Sequence, residues 1–315
     1  MPTSAGPRAD RFRARLEQPR PLLLDGGLAT QLEAMGEALH PTLWSAGLLH
    51  SDPAALQAAH EAYLDAGAEV LITASYQASH AGFGRLGCSG TQADELLKRS
   101  VGIARAAIDH RSADAALVAA SVGPWGATRH DGSEYTGAYA VGEAALEDFH
   151  ARRLEVLDSA GADVLACETL PQRGEIEIIG RLLRTTRTPA WVSFCCADGE
   201  RLRDGSPVAD AAASLRDHPG VAALGVNCTA PRHVPELIAR LRRAAPNLPV
   251  LVYPNSGEAY DATRQSWRGL IEPLDMGATA RGWLEAGARG VGGCCRVGPG
   301  HIRAMARLIE EEYAP

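Results

Sequence analysis

The chain has 315 residues, 46% of them hydrophobic, and a formal net charge of −7. That length and composition support a sizeable core, and the negative balance lacks the basic footprint of a nucleic-acid binder. No apolar run approaches the roughly 18 residues of a membrane-spanning helix. The seven cysteines follow no disulfide-framework spacing. They read as thiols of a reducing, cytoplasmic compartment, used for metal binding or chemistry.

Residues 1–19, "MPTSAGPRADRFRARLEQP", carry no apolar h-region of a secretory signal and read as a tail or leading helix. From residue 20 to 315 the chain reads as one domain built from eight apolar, strand-like runs. They are "PLLLDGG" (21–27), "EVLITAS" (69–75), "ALVAASVG" (116–123), "DVLACET" (163–169), "AWVSFC" (190–195), "AALGVNC" (222–228), "PVLVYPN" (249–255) and "GVGGCC" (290–295). Helical patterns such as "DPAALQAAHEAYLDAG" and "VPELIARLRRAA" separate them. The basic run "RLRR" (240–243) in the second of these is expected on a solvated helix face. One phrase recurs at 64–75, 157–169 and 284–295: a helix ends at Ala-Gly and an apolar strand follows. Glycine suits that C-cap because it takes positive φ without a Cβ clash. Eightfold alternation of strand and helix predicts an α/β fold, a (β/α)8 TIM barrel in a single domain. An open doubly wound sheet loses support because no G-x-G-x-x-G follows the first strand and no P-loop appears.

Polar residues end nearly every run: Asp25, Thr73 with Ser75, Ser121, Glu168, Ser193, Asn227 with Cys228, Asn255, and Cys294 with Cys295. In a barrel these ends share the C-terminal rim, where barrel enzymes hold their sites. Cys228, Cys294 and Cys295 are therefore expected to converge. Three thiolates with an open fourth position suit catalytic zinc. The ten histidines form no H-x-H or H-E-x-x-H that would offer another metal site. Cys195 and Cys196 form a second adjacent pair whose role the spacing leaves open, and a redox-active vicinal disulfide is the competing use of such pairs. Cys88 and Cys167 read as small buried hydrophobes. "DGG" after the first strand offers unblocked amides for a carboxylate, with Asp25 beside them for an ammonium.

Taken together, "LLLDGGLAT", "ITASYQAS", "ASVGPWG", "DGSEYTG", "ACETLP", "LGVNCTAP", "LVYPNSGEAYD" and "GVGGCCRVGP" resemble the homocysteine S-methyltransferase family over about residues 20–310. The chain looks most like its short members, which take the methyl group from S-methylmethionine or S-adenosylmethionine. The resemblance implies a zinc-bearing barrel, with Cys228, Cys294 and Cys295 as metal ligands. It implies that Asp25 and Glu168 hold the homocysteine ammonium and that the amides of Gly26 and Gly27 hold its carboxylate. Trp44 and Tyr76, just beyond the first two strands, would face the sulfonium by cation–π contact, with Trp125 and Tyr135 as lesser candidates. Asn227, Thr73, Ser75 and Ser193 would orient these groups. The expected partners are small molecules only, homocysteine and a methyl donor, with no nucleic acid and no membrane. A betaine-type donor is the variant reading of the same site. A metal-free vicinal-dithiol oxidoreductase and a non-catalytic metal-binding protein are the readings from other classes.

Overall fold

The computed structural model describes residues 7–40, 43–111, 116–129, 131–261, 266–269 and 275–313. Eight parallel strands form one sheet: β1 (Leu22–Leu23), β2 (Val70–Ile72), β3 (Leu117–Val122), β4 (Val164–Leu170), β5 (Ala190–Phe194), β6 (Val221–Asn227), β7 (Val250–Tyr253) and β8 (Gly290–Val291). Each coincides with one of the eight apolar runs, β4 and β6 extending one residue beyond theirs, at Leu170 and Val221. β1 pairs with β8 through Leu22–Gly290 and Leu23–Val291. The ring closes on the other side through the Leu24–Val70 bridge, where the Asp25 amide donates to the Val70 carbonyl at 3.1 Å. The fold is the expected (β/α)8 barrel.

The near-unbroken burial of these strands follows from their packing on both faces, outward against helices and inward against each other. The helices Pro53–Leu64, Gly90–Asp109, Glu143–Asp158, Arg173–Leu182, Val208–Leu215, Val234–Ala244, Met276–Glu285 and Pro299–Glu312 form the outer ring. The recurring Ala-Gly phrase works as anticipated: Gly67, Gly161 and Gly287 all end helices at positive φ, +98°, +84° and +102°. Arg240 of the "RLRR" run pairs with Glu236 at 2.9 Å on the helix surface, a solvated face.

The interior mixes leucines and valines with small residues, Ala119, Ala166 and Ala223 among them. The space they leave is taken by Trp191, whose indole Nε1 donates to the Tyr253 hydroxyl at 2.9 Å. From below, the leading segment contributes a real element, the helix Pro7–Glu17. Its Phe12 and Leu16 join the interior cluster, with the Phe12 ring 5.6 Å from that of Trp191. Arg15 and Arg20 both pair with Glu69, at 2.8 and 2.7 Å, fastening this helix to the barrel floor. Among the described residues, this helix stoppers the barrel floor, and the barrel's cavity opens at the C-terminal rim. Among the described residues, no helix is long and apolar enough to cross a membrane.

Candidate active site

The three rim cysteines meet. Cys228 follows β6 directly, while Cys294 and Cys295 follow β8 after Gly292 and Gly293. The sulfurs of all three lie within 4.8 Å of one another. Cys228 Sγ is 3.7 Å from Cys295 Sγ, and Cys228 and Cys294 stand in disulfide contact. The adjacent pair is not bonded: the Cys294 and Cys295 sulfurs are 4.0 Å apart. Cys294 and Cys295 therefore form no vicinal disulfide with each other; both sulfurs instead approach Cys228.

Gly292 and Gly293 shape this loop through their lack of a side chain. Neither has positive φ. A Cβ on Gly293 would fall 2.0 Å from Val297 Cγ1, and one on Gly292 would fall 2.7 Å from Leu24 Cβ. The glycines permit close approach of the β1 and β8 loops rather than an unusual conformation. Gly27 obeys the same logic, since its Cβ would sit 2.6 Å from the Cys294 carbonyl oxygen. The Tyr63 hydroxyl bridges the carbonyls of Gly27 and Val297, at 2.9 and 3.1 Å, and locks the two loops together.

These loops wall a cavity of about 420 Å³. Gly26, Gly27, Thr73, Glu168, Asn227, Trp44, Tyr76 and the three cysteines all line it. Asp25 and Ser75 stand just behind the wall. Asp25 is fully buried; its Oδ2 accepts from the Ile72 amide at 2.8 Å, and its Oδ1 is buried with no partner. Burial, and then the nearby Glu168 charge, raises its carboxyl well above the usual range. Glu168 accepts from Ser121 Oγ at 2.5 Å, and burial lifts its pKa to about 7. Ser75 bonds Thr73 at 2.7 Å and donates to the Ser121 carbonyl, so it knits β2 to β3 instead of facing the cavity. The Gly27 amide is committed to the Val297 carbonyl at 2.9 Å. The expectation that both DGG amides receive a carboxylate therefore narrows to Gly26.

Asn227 acts between the acid end and the thiols. Its Oδ1 accepts from the Thr169 amide at 2.8 Å, and its Nδ2 donates to Thr169 Oγ1 at 2.7 Å and approaches Cys294 Sγ at 4.0 Å. Tyr135, ranked below Trp44 and Tyr76 in the sequence, reaches the thiol cluster: its hydroxyl is 3.6 Å from Cys295 Sγ. Trp125 does not line the cavity; it packs on Tyr139 with ring centroids 5.4 Å apart. Glu134, beside Tyr135, lines the cavity and is almost fully buried; sequence reasoning passed over it inside "DGSEYTG". Cys195 and Cys196 are buried away from the cavity, and Cys195 Sγ lies 3.6 Å from the Cys228 carbonyl, supporting that turn. Four non-glycine residues among those described have positive φ: Trp44, Thr169, Cys228 and Arg296. Three line the cavity and the fourth follows Cys295. Backbone strain gathered in one place marks a site whose geometry is held by its surroundings.

The homocysteine S-methyltransferase family profile matches residues 22–309. The chain belongs to that family. It is 45% identical over 294 residues to the homocysteine S-methyltransferase YbgG of Bacillus subtilis, covering 90% of this chain and 93% of that one. The crystal structure of the homocysteine methyltransferase MmuM from Escherichia coli in its metallated form superposes with a TM-score of 0.84 at 42% identity, covering 94% of this chain and 99% of that one. Its oxidized form gives 0.83 at the same identity, covering 94% and 98%. This enzyme is accordingly a homocysteine S-methyltransferase, acting on small molecules.

Its thiol cluster has the chemistry of a metal site. The donors are three sulfurs able to reach one point. Burial pushes the Cys295 thiol up to about 12, and no lysine or arginine lines the cavity among the described residues. A cation at the cluster is what such a thiol needs to ionise.

Proposed function

We propose that this enzyme transfers a methyl group from a sulfonium donor, S-methylmethionine first and S-adenosylmethionine as the alternative, to L-homocysteine, giving methionine. We assign Cys228, Cys294 and Cys295 as ligands of a zinc ion, whose softness matches an all-thiolate set. Zinc supplies the positive charge that keeps the acceptor sulfur a thiolate near neutral pH, where a free thiol of pKa about 8.5 is mostly protonated. The observation that carries the reading is the meeting of these three sulfurs beside a buried pair of carboxylates.

The chain's own groups do the rest. Glu168 and the unpartnered Asp25 Oδ1 receive the homocysteine ammonium, and the Gly26 amide receives its carboxylate. Thr73 and Ser75 hold the β2 end in register behind them. The donors on Asn227 and Tyr135 face Cys294 and Cys295 and soften the negative charge of the cluster. Trp44 and Tyr76 offer their π-faces to the sulfonium. The methyl carbon passes from donor sulfur to acceptor sulfur. The breaking bond leaves its electron pair on the donor, and the acceptor's pair forms the new bond. Positive sulfonium and negative thiolate thus become two neutral thioethers. A cavity that excludes water favours that loss of charge over the separated ions. The modest cavity, about 420 Å³, lies near the lower end of ligand sites and supports two amino-acid-sized substrates.

The test is the initial rate of methionine formation from homocysteine by zinc-loaded, reduced enzyme, with S-methylmethionine, S-adenosylmethionine or betaine as donor. Faster turnover with S-methylmethionine is expected. A preference for betaine, or turnover unaffected by removing the metal, overturns the reading.

A further inference from the structure

One buried acid is left without an assigned task. Glu134 sits on the short turn Ser133–Tyr135 that lies over the rim, is 6% exposed, and lines the same cavity as Cys295. Its Oε2 is buried with no hydrogen-bond partner. Among the described residues lining the cavity, no other carboxylate oxygen is in that condition, and none of those residues is a lysine or arginine. A carboxylate held this way is costly to keep unless something positive completes it. Glu168 acts electrostatically on Asp25, at the end assigned to the acceptor's ammonium. Glu134 acts on Tyr135 and Cys295, and on Tyr76 more strongly than Glu168 does, which puts it toward the thiol side of the cavity.

We propose that Glu134 receives the positive charge of the methyl donor and is the residue by which this site selects cationic donors. The inference rests on the sulfonium-donor reading above. Such a donor offers two cations, the sulfonium and, in amino-acid donors, the α-ammonium. They differ in fate. The sulfonium charge vanishes on transfer, so a carboxylate against it stabilises the reactant more than the transition state. The ammonium persists, so a carboxylate against it gives uniform binding and shows in KM alone.

The experiment compares the zinc-loaded enzyme with Glu134→Gln, which keeps the shape and removes the charge. Because Oε2 has no partner to lose and a glutamine keeps an oxygen to accept from the residue's own amide, the variant is expected to fold with undiminished thermal stability. Calorimetric Kd and kinetic KM for S-methylmethionine are expected to rise about 10- to 100-fold, with KM for homocysteine within twofold of the parent. Trimethylsulfonium, which has no ammonium, separates the two sources. Equal weakening of its binding assigns the sulfonium, and weakening confined to S-methylmethionine assigns the ammonium. Donor Kd unchanged within twofold, or a parallel rise in homocysteine KM, overturns the proposal. Failure of the parent enzyme to use any sulfonium would instead refute the donor reading, so the two failures are distinguishable.

Discussion

Glu168→Gln should strengthen the metal-free fold while weakening the enzyme, and the structure gives the size of the first effect. The Glu168 carboxyl is buried and its pKa rises from an ordinary 4.5 to about 7. The folded chain therefore holds a proton that the unfolded chain releases, and stability falls as pH rises through the window from 4.5 to 7. Above that window the penalty reaches about 3 kcal/mol. Asp25, also raised by burial and then by the Glu168 charge, acts in the same direction. A glutamine still accepts from Ser121 Oγ and carries no ionisation penalty. Urea unfolding of reduced, metal-free protein at pH 5 and pH 8 measures this. The two proteins should be nearly equal at pH 5, and the variant more stable by about 2–3 kcal/mol at pH 8. Homocysteine KM should rise because the ammonium loses its partner. A variant destabilised equally at both pH values would show that the carboxylate is a structural acceptor and refute the argument.

Three further outcomes follow from named contacts. Phe12→Ala empties a fully buried ring site under Trp191 and should cost about 3–5 kcal/mol of stability, read by denaturant unfolding, with both substrate KM values unchanged. Gly293→Ala forces a methyl into Val297, a buried β-branched side chain that has no room to turn; it should destabilise by about 1–3 kcal/mol and lower metal content, checked by elemental analysis. Cys295→Ala should remove bound zinc and turnover while the circular dichroism of the barrel stays the same; a metal-loaded, active variant would displace Cys295 from the ligand set.

The barrel was legible because each strand is an apolar run buried on both faces, and because Ala-Gly helix ends mark the turns before three of them. The thiol cluster was legible because strand ends share one rim, so Asn227-Cys228 and Cys294-Cys295 have nowhere else to point. What escaped the reading depends on facts that spacing does not encode. Phe12 and Leu16 sit four apart among arginines, one apolar stripe too short to announce a plug under Trp191. The Gly27 amide looked available, yet it is taken by Val297, a residue 270 positions away. Glu134 looked like a loop acid, since its burial depends on how the β3 loop folds over the rim. A signal existed in the clustering of aromatic and acidic residues in "SEY", but only packing shows that the acid faces inward.

The electrostatics of the rim fix what kind of ligand it receives. Asp25, Glu134 and Glu168 are buried close to the three cysteine sulfurs, and no lysine or arginine among the described residues lines the cavity. Burial raises the carboxyls and the Cys295 thiol above their ordinary values, Glu134 and Glu168 to about 7, so below that pH these groups carry few charges. Every ligand in the proposed reaction brings a positive charge: a metal ion, the acceptor's ammonium and the sulfonium donor. Each arrival would ionise a different acid, which predicts proton release on binding. Titrating zinc-loaded enzyme with homocysteine in buffers of different ionisation enthalpy measures that release. At pH 6, below the Glu168 value of about 7, homocysteine should displace more protons from this carboxyl than at pH 8, where it is already largely ionised. The Glu168→Gln variant should lose that extra component. An identical pH dependence in parent and variant would mean that the ammonium binds elsewhere.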